Sequence, residues 1–173
     1  MGGGEAREML MPRLLRATVL ILTAALCVGF GSVAGAGSGS CYSYTKKDRS
    51  LAQRTNRARS SHNVRKISLD PHLSLVARRH SRAMASKLTL YHSTSLGSLI
   101  TRWKTLGENV GYAGSVKRVH KAFMNSAAHR SNILRSAYRH VGVGVVKKGG
   151  RIWATVVFEG RKNPGTTLKM PSC

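Results

Sequence analysis

Between Pro71 and Leu88, apolar side chains recur at three- and four-residue steps: Leu73, Val76, Ala77, His80, Met84 and Leu88. Arg78, Arg79, Arg82 and Lys87 fall mainly on the other side, so the segment reads as an amphipathic helix with one buried stripe. Asp70-Pro71 supplies its start, because Asp can accept from free N–H groups of the first turn and Pro fits the first helical position. Leu51, Ala52, Thr55 and Ala58 share a face of a more polar helix over Arg49 to Arg59. Leu96 to Trp103 predicts a short helix before Gly107. Ser115 caps another helix, whose stripe is Val116, Val119, Phe123 and Met124. After Tyr138 the period changes to two. Val141, Val143 and Val145 alternate along one strand and Ile152, Ala154, Val156 and Phe158 along the next, joined by Lys147-Lys148-Gly149-Gly150 as a hairpin turn. Gly142 and Gly144 leave the other face of the first strand bare, open to close approach by a helix or strand. Helices followed by a terminal antiparallel hairpin make an α+β fold, with Trp103 and Trp153 expected in its core.

The first 36 residues have a different character. Arg7, Arg13 and Arg16 precede the apolar run Ala17 to Phe30 and the small residues Gly31 to Ser40, the order of a secretory signal peptide, with Ala34-Gly35-Ala36 suited to cleavage before Gly37. An uncleaved membrane anchor is the alternative, although the apolar stretch falls short of the roughly 20 residues that span a bilayer. The expected organisation is a signal segment at 1–36, a lead at 37–49, a folded domain at 50–160 and a tail at 161–173. The whole chain has 173 residues, with 29 Lys and Arg against 6 Asp and Glu and a formal charge of +23. Three of the basic and two of the acidic residues lie in the signal segment, so the exported part carries +22. Hydrophobic residues at 42% exclude a disordered polycation. Export removes Cys27 and leaves Cys41 and Cys173, which suggests one bridge joining the two ends of the domain, with two unpaired thiols as the alternative. Ser38-Gly39-Ser40 before Cys41 lacks the branched aliphatic residue of a lipidation signal.

This charge by itself allows an exported cationic protein that binds anionic envelope polymers, phospholipid or extracellular nucleic acid, through Arg54, Arg57, Arg59, Arg65, Lys66, Arg78, Arg79 and Arg82. A solvated basic surface without a partner is the plainer reading. No aromatic-interleaved stacking motif appears, and sequence-specific nucleic-acid binding is not expected. Carboxylates are scarce: the exported part has only Asp48, Asp70, Glu108 and Glu159. Asp70 is needed as a cap, and Glu159 sits at what reads as the exposed end of the last strand. No nucleophile elbow, His-Glu-x-x-His helix or phosphate-binding glycine loop occurs there. Gly107 and Asn109 place Glu108 in a turn between apolar segments, and His92 and His129 each follow the end of a helix. Two His and one carboxylate are the ligand set of an open zinc site, whereas satisfied core or surface histidines would explain the same spacing.

The order of the segments adds specificity. Asn56-x-x-Arg59, Leu69-Asp70-x-x-Leu73, Ala77-x-x-His80 with Met84, Leu90-Tyr91-His92-Ser93, Gly107-Glu108-Asn109-Val110, Asn125-Ser126-Ala127-Ala128-His129-Arg130-Ser131-Asn132-Ile133-Leu134 and Tyr138-x-x-Val141-Gly142-Val143-Gly144 follow one another. This series resembles the CAP superfamily, the cysteine-rich secretory, antigen 5 and pathogenesis-related proteins whose domain is also called SCP, and its short bacterial branch in particular. That branch typically has Pro-Gly where Ala127-Ala128 stand here. The resemblance implies an α-β-α sandwich with helices packed on a small antiparallel sheet ending in the hairpin. It also implies a cavity lined by a His/Glu tetrad that holds zinc or another divalent metal in some members. Matched motif by motif, the metal set is His92, Glu108 and His129, and the ligand cavity adds Asn109 and Ser126. The second acidic member has no counterpart, since Val116 to Ser126 contains no Asp or Glu and only Asn125 or Ser126 stands nearby. The leading expectation is a secreted binding protein for a small-molecule or lipid ligand. A metal-dependent hydrolase using the same residues is the enzyme alternative.

Overall fold

The computed structural model describes residues 41–173, so the expected signal segment and the first four residues of the lead, 37–40, lie outside the described residues. The sequence's valine and glycine alternation becomes two long strands, β4 at His140–Lys148 and β5 at Arg151–Glu159, following β1 (Ser68–Leu69), β2 (Ile100–Thr101) and β3 (Leu106–Ala113), with β6 (Gly165–Thr166) last. The helices are α1 (Lys46–Ser61), α2 (Pro71–Lys87), α3 (Leu96–Leu99), α4 (Val116–Asn125) and α5 (Ala127–Leu134). Lys148 pairs with Arg151 across a two-residue turn. Gly149 and Gly150 have φ of 60° and 70°, the left-handed values that a tight hairpin with the right-handed strand twist requires.

The main sheet runs β1-β4-β5-β3, while β2 and β6 form a separate antiparallel pair. It is mixed rather than purely antiparallel, because β1 lies parallel to β4. On one face Val141, Val143, Val145, Ile152, Ala154, Val156 and Phe158 pack with Leu51 of α1, Phe123 of α4 and Ile133 of α5. On the other face α2 brings Leu73, Val76 and Ala77 against Val157, and Met84 and Ala85 against Trp153 and Val110. These layers are the expected α-β-α sandwich. Gly142 and Gly144 are what allow α2 so close, since a Cβ there would fall 2.2 Å from the Leu73 carbonyl carbon and 2.2 Å from the Arg78 nitrogen.

Local signals worked where a backbone group needed a partner. Asp70 accepts from the Leu73 N–H and caps α2, and Ser115 caps α4. A capping box of Thr45 and Asp48 starts α1 at Lys46, ahead of the apolar stripe that set its expected start. The helix expected over Leu96 to Trp103 stops at Leu99. Arg102 then turns the chain with φ 57°, and Trp103 lies outside the core, 43% exposed, donating its indole N–H to the Gly97 carbonyl. Trp153 is buried as expected. Leu88 closes α2 in a left-handed conformation and is exposed, although the periodicity placed it in the core stripe.

Three charged residues depart from their expected surface positions. Glu159 is fully buried, because its Oε1 accepts from the backbone N–H groups of Lys104 and Arg161 and holds the following loop to the sheet. Arg59 is fully buried too, donating Nε to the Arg65 carbonyl and Nη1 to the carbonyls of Ile133 and Arg135 at the end of α5. Arg78 pairs with the buried Asp48, whose Oδ1 also receives the Val145 N–H. The arginine-rich patch read from sequence therefore loses Arg59 to the interior and has Arg78 neutralised by Asp48. Cys41 and Cys173 are bridged, with their Cα atoms 5.1 Å apart. The tail between them and the sheet is anchored by β6, and Leu168 packs near Leu73 and Ile100.

Candidate functional site

The segment Gly107-Glu108-Asn109 is not a turn. It opens β3, the edge strand beside β5, where Glu108 stands opposite Val157 and Asn109 opposite Val156. Strand alternation then separates the two side chains. Glu108 faces the α2 side, whereas Asn109 faces α5 and is completely buried. The Asn109 amide donates to the His129 carbonyl at 2.9 Å, and Asn132 donates to the Asn109 side-chain oxygen at 2.9 Å and to the Glu108 carbonyl at 3.2 Å. His129 and Asn132 are one turn apart on α5, so the asparagine pair docks that turn onto β3 and fixes where His129 emerges. Asn109 is thus a positioning residue.

Glu108 has a side chain only 6% exposed. Its Oε2 accepts from His92 Nδ1 at 2.8 Å and from the Ser93 N–H at 3.0 Å. Because a carboxylate can only accept, Nδ1 of His92 carries a proton in this contact, and the tautomer that fits it has its lone pair on Nε2. His92 itself is well exposed, in the loop after α2. The other oxygen, Oε1, is buried without a hydrogen-bond partner and lies 4.0 Å from His80 Nε2. His80 donates that nitrogen's proton to the Tyr91 carbonyl at 2.8 Å and stacks edge-on against the Tyr91 ring. Its position three residues after Ala77 in an apolar stripe concealed this role, since the same spacing describes an ordinary core histidine.

The two histidines approach from different layers, with ring centroids of His92 and His129 6.5 Å apart. His129 also packs on Phe123 at 5.1 Å. Burial first, and then repulsion from the neighbouring His92 whenever that ring is protonated, lowers its pKa from the ordinary 6.5, which favours the neutral ring at neutral pH. His129 and Ser126 border a cleft of about 270 Å³, with Phe123, Val110, Leu90 and Tyr112 supplying apolar walls. Leu90 and Tyr112 are exposed large hydrophobics. A smaller hollow of about 100 Å³ lies on the α2 side, lined by His80 and Ser93 among others.

The expected residues are therefore brought together unequally. His92, Glu108 and His129 are neighbours, Ser126 lines the cleft and Asn109 lies beneath it. Among the described residues no group of three His, Cys, Asp or Glu side chains is placed to hold a metal ion. Glu108 meets His92 through Oε2 alone. What remains is a pair of imidazoles, His92 and His129, with Glu108 behind the first of them.

Comparison with known proteins agrees with this architecture. The Bacillus subtilis (strain 168) protein YkwD is 34% identical over 119 residues, which is 64% of this chain and 45% of YkwD. The chain spans less than half the length of the curated relatives it matches. An extracellular protein containing an SCP domain from Bacillus anthracis superposes with a TM-score of 0.59 at 24% identity, over 66% of this chain and 40% of that one. An outer surface protein from Borrelia burgdorferi gives 0.62 at 19% identity, over 69% and 97%. The model of the cysteine-rich secretory protein family, CAP, matches residues 52–158, nearly the whole described sandwich, and the chain belongs to that family.

Proposed function

We propose that this chain is an exported CAP-domain binding protein whose cleft beside His129 takes a small ligand with an apolar body, and whose two imidazoles hold a divalent cation at its mouth. The observation that carries this reading is the buried Glu108 carboxylate, which holds His92 in the tautomer that leaves Nε2 as a lone-pair donor beside the neutral His129. A buried carboxylate without a cationic purpose would cost stability, and here it is spent on aiming one exposed ring. The apolar walls supply ligand area, while Ser126 and the imidazoles supply polar contacts. A bound cation would polarise an oxygen of the ligand as a Lewis acid. Export is supported by the leader-like 1–36 segment, and no helix among the described residues is long and apolar enough to cross a membrane.

A field of excess positive charge opposes cation binding, so the affinity for metal should be modest. Zinc titration by calorimetry tests the site. The native protein should bind about one equivalent, His129→Ala should lose it, and Glu108→Gln should weaken it roughly 10- to 100-fold while melting normally. Equal zinc binding by all three proteins would overturn the reading.

A further inference from the structure

The four Asp and Glu side chains of residues 41–173 are all turned inward. Asp48 and Glu159 are fully buried, Glu108 is spent on His92, and Asp70 caps α2 with its side chain 12% exposed. Against them stand 26 Lys and Arg, since only Arg7, Arg13 and Arg16 of the chain's 29 lie earlier. Arg78 is the one Lys or Arg among the described residues with a carboxylate partner. The described surface consequently has no exposed Asp or Glu to interrupt its positive charge.

Within that surface one place is shaped as well as charged. A groove of about 500 Å³ runs between α1 and the segment entering β1, bordered by Arg49, Gln53, Arg57 and Lys66 over Ala52 and Leu69. Arg49, Gln53 and Arg57 stand at i, i+4 and i+8, one stripe along α1 spanning about 12 Å. Lys66 faces them from the other bank. That bank is held in place: the Asn56 amide donates to the Ile67 carbonyl at 2.8 Å and accepts from the Ile67 N–H at 2.9 Å. Arg49 is steadied by stacking over the Tyr44 ring at 5.1 Å. The groove shares no lining residue with the histidine cleft.

We propose that this α1 groove is a second binding site, for a linear phosphate-bearing polyanion. Two guanidiniums and one ammonium, spaced along a helix and facing each other across a floor, suit successive phosphates of an extended chain better than one compact anion. Guanidiniums grip phosphate oxygens in bidentate fashion, and Gln53 offers an amide donor between them. The uninterrupted positive field adds steering toward any such polymer.

The test must separate the groove from net charge. Binding of fluorescently labelled inorganic polyphosphate would be followed by anisotropy over a range of salt concentrations. The triple variant Arg49→Gln/Arg57→Gln/Lys66→Gln would be compared with Lys117→Gln/Arg118→Gln/Lys121→Gln on α4, which removes the same charge elsewhere. The groove variant should lose about 30-fold in affinity and about 2 units of the log–log salt slope, and the α4 variant far less. His129→Ala should bind like the native protein, so a failed cleft leaves this result readable. Equal losses in the two triple variants would overturn the site in favour of diffuse charge. Inorganic phosphate competing as well as the polymer, at equal phosphate concentration, would overturn the polymer and leave a single-anion pocket. Groove-dependent binding to phosphatidylglycerol vesicles, with none to polyphosphate, would overturn it in favour of a lipid headgroup.

Discussion

Asp48 shows how much one side chain can hold together in this protein. Its carboxylate closes the capping box with Thr45, accepts the Val145 N–H and pairs with Arg78, so α1, β4 and α2 meet on it with no exposure to solvent. Asp48→Asn keeps the shape but leaves the Arg78 guanidinium without its partner. Loss of one member of a buried pair costs about 3–5 kcal/mol, and chemical denaturation should register a drop of that size. A change below 1 kcal/mol would mean that water already reaches the pair. Arg59 is the complementary case, a buried cation whose partners are carbonyls. It caps the end of α5 and thereby supports the helix that carries His129. Arg59 looked like surface charge in the sequence, since composition records that a residue is ionisable and not which backbone groups surround it.

At the scale of elements, the approach of α2 to the sheet depends on two absent side chains. Gly144→Ala would put a methyl group 2.2 Å from the Arg78 nitrogen, and backbone cannot step aside as a flexible side chain can. We expect a loss of about 1–3 kcal/mol and displacement of α2. Because His80 rides on α2 beside Glu108, zinc affinity should fall as well. Unchanged melting of Gly144→Ala would refute the close-packing account. Glycines between valines announced a bare face in the sequence, and only the fold showed that a helix fills it. The edge strand β3 is the converse. Its Gly-Glu-Asn opening has turn-favouring residues, yet pairing with β5 draws it into the sheet, and that pairing sends Glu108 and Asn109 to opposite layers.

For the whole molecule, the Cys41–Cys173 bridge closes a sequence separation of 132 residues. Chain entropy sets an upper stabilisation of about 5 kcal/mol for such a loop, so reduction should lower the melting temperature markedly while the sandwich remains folded. Intact melting after reduction would show that tail docking through β6 suffices. Acid should act through two histidines. His120 and His129 both have pKa values lowered, first by burial and then by the neighbouring Arg54 and His92 respectively. The unfolded chain then binds more protons than the native one as pH drops below about 6.5, and stability should fall from that point until the native pKa values are passed. Flat stability between pH 7 and pH 5, or replacement of both rings without effect on the profile, would contradict this assignment.

Periodicity determined that α2 is amphipathic and that β4 and β5 form a hairpin, and the caps Asp70-Pro71 and Ser115 determined where α2 and α4 begin, because each depends on contacts within a few residues or on one repeating face. The ordered motifs likewise placed His92, Glu108 and His129 in one neighbourhood. Tertiary structure decided which groups each of them meets there. Whether Glu108 is a ligand or an orienting group depends on which oxygen meets His92, and that follows from the register of β3 on β5, a pairing some fifty residues apart in the chain. Exposure was decided in the same way: Trp103 left the core at the Arg102 turn, and Glu159 entered it to receive two backbone N–H groups. Burial is a sum over neighbours from distant segments. No local pattern of hydrophobic and polar residues contains that sum.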